Sequence, residues 1–226
     1  MKPFVCHSSG NCCTNLKAAN GFGLMLFDDE VKLFRDKGMQ ILGREPRLEF
    51  RSLPDPKTKS RVILLSQLGE SRCPFLAKDA SCQIYEERPL VCRGYPVQST
   101  GLDPARPGRF AAGRACEGCA KSDVFELIDK KMMAEATINQ RARKMFEMFG
   151  DSYVFQWMVE RNNYQDAIIV QDLRKEGHFA AVDPKESSSW PEVSFEQFLQ
   201  SINRPRRILE SDDLASVKEE LIQRLR

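Results

Sequence analysis

The sequence has little net charge, no long apolar run and no cysteine beyond Cys119. Its apolar stretches, such as residues 62–65, are the length of a strand and fall far short of the roughly 18 residues that a membrane span needs. Its formal net charge of +2 argues against a nucleic-acid-binding protein, which usually carries a strong basic excess. We therefore expect neither a membrane protein nor a nucleic-acid-binding protein.

Signals for export and for common enzyme chemistry are also missing. The first ten residues, MKPFVCHSSG, contain one lysine but no apolar segment, so we expect no secretory signal and a cytoplasmic protein. P-loop, HExxH and GxSxG patterns are absent. The sequence identifies no catalytic residue and leaves open whether the chain is an enzyme.

What the sequence does have is eight cysteines in its first 119 residues. A reducing cytoplasm disfavours disulfides, so we interpret these residues as metal ligands rather than as disulfides or buried thiols. Thiolate is a soft ligand that suits zinc, copper(I) and iron–sulfur clusters. Eight thiolates could fill two four-ligand sites or overfill one. The predicted metal ligands are Cys6, Cys12, Cys13, Cys73, Cys82, Cys92, Cys116 and Cys119.

The spacing within two cysteine pairs indicates how they could bind metal. One tight turn can aim both sulfurs of Cys116-x-x-Cys119 at a single metal. In an extended segment, by contrast, the adjacent Cys12 and Cys13 point to opposite sides and fit different metals or different atoms of one cluster, unless one of them is spare. This interpretation and the count of eight favour an iron–sulfur cluster (4Fe–4S) over zinc, although both metals accept four thiolates.

Two arginines flank the central cysteines. Arg93 directly follows Cys92 and could offset thiolate charge by donating a hydrogen bond near the metal. Alternatively, Arg88 and Arg93 form ordinary surface pairs with Glu86 and Glu87. The sequence leaves both interpretations open.

The central stretch resembles a known family. Residues 82–96 read CQIYEERPLVCRGYP, which is similar to the C-x-I-Y-x-x-R-P-x-x-C-R-x-[FY]-P phrase of the YkgJ-type cysteine-cluster family. The resemblance covers about residues 6–119 and implies a zinc- or iron-chelating domain with eight cysteines. The family's CxxCGxCC motif would place a further cysteine at Ser9, and the pair Cys116 and Cys119 restores the count. His7 is a less favoured substitute for the missing ligand.

The resemblance also implies alternatives for function. The family is similar to the cysteine-rich part of flagellin lysine N-methylases, which implies a metal-dependent protein-modifying enzyme. However, Gly21-Phe22-Gly23 lacks the βαβ context of an S-adenosylmethionine-binding loop and is predicted to be a turn. A third hypothesis is a zinc-stapled module whose helical half binds another protein. Residues 204–207, RPRR, are predicted to be a solvated loop rather than a site for an anionic partner.

The pattern predicts an α+β fold that is mostly helical, with a small β-hairpin, irregular metal-binding loops and a helical C-terminal region. We expect a cysteine-cluster domain over residues 1–121 and a helical region over residues 122–226, which could pack on the first as one unit. His178 is assigned no role. The predicted elements are a helix from an Asp28 cap to Gly38, a hairpin of residues 47–53 and 61–65, helices over 122–150, 153–164, 194–202 and 211–225, and a linker over 177–191.

Overall fold

The computed structural model describes residues 10–14, 16, 23–98, 111–112 and 138–225. The chain divides into two compact units. The helical unit comprises Met1–Thr14, Leu76–Tyr164 and Leu209–Arg226, and the sheet unit comprises Asn15–Phe75 and Gln165–Ile208. The expected domain boundary between residues 121 and 122 lies outside the described residues and stays a prediction.

The described elements form an α+β fold that is mostly helical and contains a small mixed sheet, which confirms the predicted fold class. None of the helices in the described ranges combines the length and the apolar character that a membrane crossing requires. The strands are β1 (Met25–Leu26), β2 (Leu48–Asp55), β3 (Ser60–Leu68), β4 (Val97–Gln98), β5 (Ala111–Ala112) and β6 (Glu192–Ser194). The helices are α1 (Asp28–Lys37), α2 (Leu90–Gly94), α3 (Ile138–Phe149), α4 (Asp151–Lys175), α5 (Pro184–Ser187), α6 (Phe195–Ser201) and α7 (Leu214–Leu225).

The sheet unit is built around the hairpin of β2 and β3, which confirms the predicted hairpin. The two strands are antiparallel, with a bulge after Arg51. The two strands pair beyond the predicted end of the first strand at residue 53, and Pro54 lies opposite Arg61. Proline has no N–H to donate and is tolerated here since β2 is an edge strand. Strands β1 and β6 both pair with β3, the first antiparallel and the second parallel.

The core of the sheet unit lies where α6 and the C-terminal part of α4 cover β3. Its central side chains are at most 3 % exposed; they are Val62, Leu173, Phe195, Phe198 and Leu199. Helix α6 begins with a capping box, in which the Ser194 hydroxyl accepts from the Gln197 N–H at 3.2 Å and the Gln197 side chain accepts from the Ser194 N–H at 3.2 Å. This confirms the helix predicted from Ser194.

Helix α1 begins and ends differently from the prediction. The N-cap is Phe27 rather than Asp28, and the Phe27 N–H donates to the Glu30 carboxylate at 2.9 Å. Gly38 does not stop the helix but opens a π-helical turn, Gly38–Leu42. A Cβ at Gly38 would lie 2.3 Å from Cδ of Pro46, so glycine is needed here for close packing rather than for a left-handed cap.

Three helices build the described core of the helical unit. The rings of Phe146 in α3 and Tyr153 in α4 contact each other edge to face, with centroids 6.3 Å apart. Arg161 of α4 pairs with Glu220 of α7 at 2.7 Å. Its guanidinium also lies over the ring of Trp157, 4.7 Å from the centroid, and Trp157 is fully buried. The predicted end of α3 at Gly150 is confirmed, whereas its predicted start at residue 122 lies outside the described residues.

Helix α4 is longer than predicted. It runs from Asp151 to Lys175 instead of over residues 153–164. Its residues up to Tyr164 belong to the helical unit and those from Gln165 onwards to the sheet unit. Helix α7 follows a 3-10 turn, Ser211–Asp213, so the helix predicted over 211–225 is confirmed with a different first turn.

Residues 177–191 form part of the sheet unit, so the predicted linker is wrong. Helix α5 lies within this stretch and is capped by Asp183, whose carboxylate accepts from the Lys185 N–H at 2.8 Å. His178 is only 9 % exposed. A flexible linker would neither form a capped helix nor bury the His178 imidazole and Ser187.

Residues 204–207 belong to the sheet unit, and two of their arginines pair with acidic side chains of that unit. The Arg206 side chain is 5 % exposed and lies between Asp28, at 3.3 Å, and Asp166. Burial raises the pKa of Asp166 and outweighs the opposing effect of the Arg206 charge. Arg204 pairs with Glu176 at 2.6 Å. The predicted loop is confirmed, since residues 204–207 form neither helix nor strand, and Pro205 and Arg207 are exposed. Arg206 departs from the predicted solvation, because its side chain is buried beside two carboxylates.

Candidate metal centre

Cys12 and Cys13 lie in a single 3-10 turn, Asn11–Cys13. The turn is closed by a hydrogen bond from the Cys13 N–H to the Gly10 carbonyl at 2.9 Å. Gly10 has φ of +69°, in the left-handed region that favours glycine. The expectation of an extended segment is wrong, because the two sulfurs are 3.8 Å apart and in contact.

The 3.8 Å separation of the two sulfurs matches two corners of one tetrahedron. With zinc–sulfur bonds of about 2.3 Å, tetrahedral geometry places two ligand sulfurs about 3.8 Å apart. In a [4Fe–4S] cluster held by four cysteines, each thiolate takes a different iron, so two thiolates stand further apart. The turn therefore presents Cys12 and Cys13 as a pair that fits a single ion.

The contact with Cys13 makes Cys12 harder to deprotonate. The hydrogen bond with Cys13 raises the pKa of Cys12 above its ordinary value, and burial and the charge of Cys13 act in the same direction. The positive charge of Arg88 acts in the opposite direction. A metal ion that binds the Cys12 sulfur must displace its proton, so metal affinity rises with pH.

Cys82 ends a tight loop. Leu76 and Cys82 form an antiparallel bridge, and the Ala77 N–H donates to the Ser81 carbonyl at 2.9 Å. At the tip of the loop, the Asp79 carboxylate accepts from the Ser81 N–H at 3.0 Å and from its hydroxyl at 2.7 Å. These local bonds fix the backbone that leads into Cys82.

Gly10 brings the turn of Cys12 and Cys13 against the Cys82 loop. A Cβ at Gly10 would lie 2.9 Å from Cδ1 of Leu76 and 3.1 Å from Cβ of Ala80. Both distances are too short for two saturated carbons in ordinary contact. Glycine at this position thus permits an approach that another residue would prevent.

Cys92 lies on the short helix α2. This helix packs on α4 at Gly94, where a Cβ would lie 3.0 Å from the backbone nitrogen of Gln156. Both Gly94 and Leu90 of α2 are buried, whereas Cys92 is partly exposed. The long helix therefore provides a firm support for the helix that carries this cysteine.

Arg88 and Arg93 bind backbone carbonyls of the segment between Cys82 and Cys92. Arg88 Nε donates to the Tyr85 carbonyl at 2.8 Å. Arg93 Nε donates to the Arg88 carbonyl at 2.8 Å, and its Nη2 donates to the Glu86 carbonyl. The sequence leaves open a donor to thiolate or a surface pair with glutamate. These three hydrogen bonds go to the backbone, and the charge of Arg88 lowers the pKa of Cys12.

The eight predicted ligands are distributed over both units. Cys12, Cys13, Cys82 and Cys92 belong to the helical unit, and Cys73, which is buried, belongs to the sheet unit. None of these five described cysteines forms a disulfide. The other three, Cys6, Cys116 and Cys119, lie outside the described residues, as do Ser9 and His7.

Within the described ranges, no three side chains of His, Cys, Asp or Glu are grouped closely enough to hold a metal ion together. The described ranges do bring two of the predicted ligands, Cys12 and Cys13, into contact. The assignment of all eight cysteines as ligands stays a prediction.

The sheet unit contains a buried acid–imidazole pair that no sequence signal indicates. His178 Nδ1 lies 3.0 Å from Oδ1 of Asp55, whose side chain is 0 % exposed. Burial alone would raise the pKa of Asp55, but hydrogen bonds from Thr58, the Phe179 N–H and His178 outweigh it and lower the pKa. The two partners are 123 residues apart, and no local motif joins them, so sequence patterns could not have found the pair.

A cysteine pair in a turn, beside a second cysteine loop braced by its own hydrogen bonds, is typical of proteins that bind metal through cysteine. A family model, CxxCxxCC, described as "Putative zinc- or iron-chelating domain", matches residues 5–120. The match spans just over half of the 226 residues, and the chain belongs to this family. This confirms the resemblance seen in the sequence. No curated protein and no solved structure matches the chain.

Proposed function

We propose that this chain is a cytoplasmic protein that binds zinc at a tetrahedral site of cysteine thiolates, with Cys12 and Cys13 as two ligands of one ion. The observation that carries this proposal is the 3.8 Å contact of the two sulfurs, which fits one tetrahedral ion. Membership of a zinc- or iron-chelating family supports it. The other ligands come from the remaining six cysteines. They include Cys82, whose loop packs against the same turn at Gly10, although the described ranges group no third ligand with the pair.

The metal has a structural role in this proposal. The segments that carry the described cysteines of the helical unit are a three-residue turn, a short loop and a five-residue helix. Such short elements are marginal in isolation, because few internal hydrogen bonds offset the loss of backbone entropy. A closed thiolate site supplies folding free energy directly. A cytoplasmic location fits this role, since reducing conditions keep the thiols available.

An iron–sulfur cluster is the second candidate. The observation that favours it is the count of eight cysteines, since a [4Fe–4S] cluster uses four and leaves four for another site. A cluster would serve electron transfer or structure. Metal-dependent modification of a protein and zinc-stapled binding of a partner protein remain hypotheses from the sequence. Calorimetry with S-adenosylmethionine tests the first of these two hypotheses.

Elemental analysis and a visible spectrum of the full chain, purified without oxygen, distinguish the two metals. The proposal predicts a colourless protein that retains zinc in a fixed ratio to the chain. A brown protein with broad visible absorption that dithionite bleaches would establish the cluster instead. A chain that retains neither metal would refute metal binding altogether. The double variant Cys12→Ser/Cys13→Ser is expected to lose the zinc bound through this pair.

A further inference from the structure

The segment between Cys82 and Cys92 has few backbone hydrogen bonds of its own. A 3-10 turn, Tyr85–Glu87, is closed by the Glu87 N–H donating to the Ile84 carbonyl at 3.0 Å. The chain is then extended at Arg88 and Pro89 before α2 begins. Proline has no N–H, so Pro89 adds no donor to this segment. Side chains of two arginines bind several of its carbonyls.

Arg93 supplies two of these bonds from a single guanidinium group. Its Nε donates to the Arg88 carbonyl at 2.8 Å and its Nη2 donates to the Glu86 carbonyl. The guanidinium also lies over the Phe155 ring of α4, with Cζ 5.4 Å from the ring centroid. The group is thus held by two acceptors and by one aromatic face, which restricts its rotation.

Arg88 adds a third bond to the same segment. Its Nε donates to the Tyr85 carbonyl at 2.8 Å, and its Cζ lies 3.7 Å from the centroid of the Tyr85 ring. The Arg88 carbonyl is in turn one of the two acceptors of Arg93. Arg88 therefore binds the start of the segment, and Arg93 binds the backbone of Arg88. Arg93 also contacts a residue outside the segment, Phe155 of α4.

The position of Arg93 next to Cys92 gives these bonds a consequence for the metal site. Arg93 follows Cys92 on α2, and the carbonyls that it binds belong to the segment that begins after Cys82. Its two hydrogen bonds therefore hold the backbone between the two cysteines in one conformation. Ligands held in place before the metal arrives bind it more tightly and release it more slowly.

We propose that Arg93 is a positioning residue for the metal site, which fixes Cys82 relative to Cys92 by clasping the carbonyls of Glu86 and Arg88. This inference rests on the proposed binding of metal by these cysteines. The two hydrogen bonds require the planar guanidinium group, whose two N–H donors point at two separate carbonyls. Lysine keeps the positive charge but offers a single ammonium group, so Arg93→Lys separates positioning from charge.

The test uses the full chain, with Co²⁺ as a spectroscopic probe and Zn²⁺ for release kinetics. Wild type, Arg93→Lys and the control Arg224→Lys are titrated with Co²⁺, and Zn²⁺ release to a chromogenic chelator is then timed. Arg224 is a matched control, because it also lies near an aromatic ring of the helical unit, 5.5 Å from Trp157, and pairs with Glu220 at the surface. We expect Arg93→Lys to shift the visible cobalt bands and to release Zn²⁺ about 10- to 100-fold faster.

The outcomes test separately whether the chain binds metal and whether Arg93 positions the ligands. If wild type shows no cobalt–thiolate bands and retains no Zn²⁺, the proposed function is refuted. If wild type binds and Arg93→Lys matches it in band positions and release rate, the positioning role is refuted while the function stands. If Arg93→Lys loses its far-UV circular dichroism in excess Zn²⁺, Arg93 supports the fold in general, which also refutes a specific positioning role. Arg88→Lys, which loses a single carbonyl bond, is expected to show the same changes to a smaller degree.

Discussion

The sheet unit and the cysteine segments of the helical unit are stabilised in different ways. In the sheet unit, a strand and two helices bury Val62, Leu173 and Phe198 almost completely. In the cysteine segments, by contrast, Cys12, Cys82 and their neighbours are only partly buried, and the backbone is held by single hydrogen bonds and by arginines. Apolar burial can therefore stabilise the first region without metal, whereas we propose that the second depends on a bound metal.

The greatest loss of stability should follow from removing apolar burial in the sheet unit. Phe198 is 1 % exposed, and its ring contacts those of His178, Phe179 and Phe195. We expect Phe198→Ala to lower the free energy of unfolding by about 3–5 kcal/mol, because it removes buried contacts and leaves a cavity. Urea unfolding with a chelator present measures this loss without a contribution from metal.

Met39→Ala serves as the control for this prediction, since Met39 is the most exposed of the large apolar side chains in the described ranges. It should change the free energy of unfolding by less than about 0.5 kcal/mol. A loss below about 1 kcal/mol for Phe198→Ala would show that this cluster does not stabilise the sheet unit.

The next effect depends on metal. We expect Cys82→Ser to weaken metal binding by at least about 100-fold, or about 3 kcal/mol, because a hydroxyl is a poor substitute for a thiolate ligand. Thermal unfolding with bound metal should show a clear drop in Tm. With chelator present, wild type and variant should unfold at nearly the same temperature, since serine has almost the same shape. An equal drop in both conditions would assign Cys82 to packing rather than to the metal.

A smaller effect concerns the buried pair of Asp55 and His178. Asp55→Asn removes a buried charge that accepts four hydrogen bonds, and we expect a loss of about 2 kcal/mol at neutral pH. The pKa of Asp55 lies below its ordinary value of 3.8. The stability that its charge contributes is therefore present above that value and is lost as the pH falls below it.

Acid unfolding in chelator checks the sign of this pH dependence. Wild type should lose more stability than Asp55→Asn as the pH falls below 3.8, so the difference between the two proteins should shrink. Thr58→Val is a useful comparison, because it removes one hydroxyl donor to Asp55 and keeps the carboxylate. A difference between wild type and Asp55→Asn that grows in acid would contradict this account.

The weakest effect concerns the approach of the two cysteine segments. We expect Gly10→Ala to cost about 1–2 kcal/mol from the positive φ and to weaken metal binding about tenfold as the Cβ pushes the turn away from Leu76. Gly150→Ala is the matched control, because Gly150 also has a positive φ but a Cβ added there would have nothing within 4 Å. The control should lose stability but bind metal as tightly as wild type, and equal metal affinity in all three proteins would rule out the proposed approach.

The regular parts of the fold could be predicted because their signals are local. Alternation before Pro54 and the apolar run after it predict the hairpin, and Ser194 predicts the start of α6. The sequence pattern underestimates the length of α4 because residues 162–166, NNYQD, interrupt the apolar periodicity. Packing of Ile169 and Leu173 in the sheet unit continues the helix beyond that point.

The parts that could not be predicted depend on contacts between distant residues. Gly38 looks like a helix stop, and only the approach of Pro46 shows that it is needed for packing. The cysteines and their family were visible in the sequence. The contact of Cys12 with Cys13 was not visible there. It depends on a 3-10 turn that follows Gly10, whose φ is positive.

Joint binding of one zinc ion by Cys12 and Cys13 is the core of this account, and X-ray absorption at the zinc edge can decide it. The full chain, purified without oxygen, is measured beside the Cys12→Ser/Cys13→Ser variant supplied with the same zinc. We predict a shell of sulfur at about 2.3 Å from zinc in wild type and fewer sulfur neighbours in the variant. A wild-type shell of nitrogen and oxygen alone, or the same sulfur shell in both proteins, would contradict the joint binding of zinc by this pair.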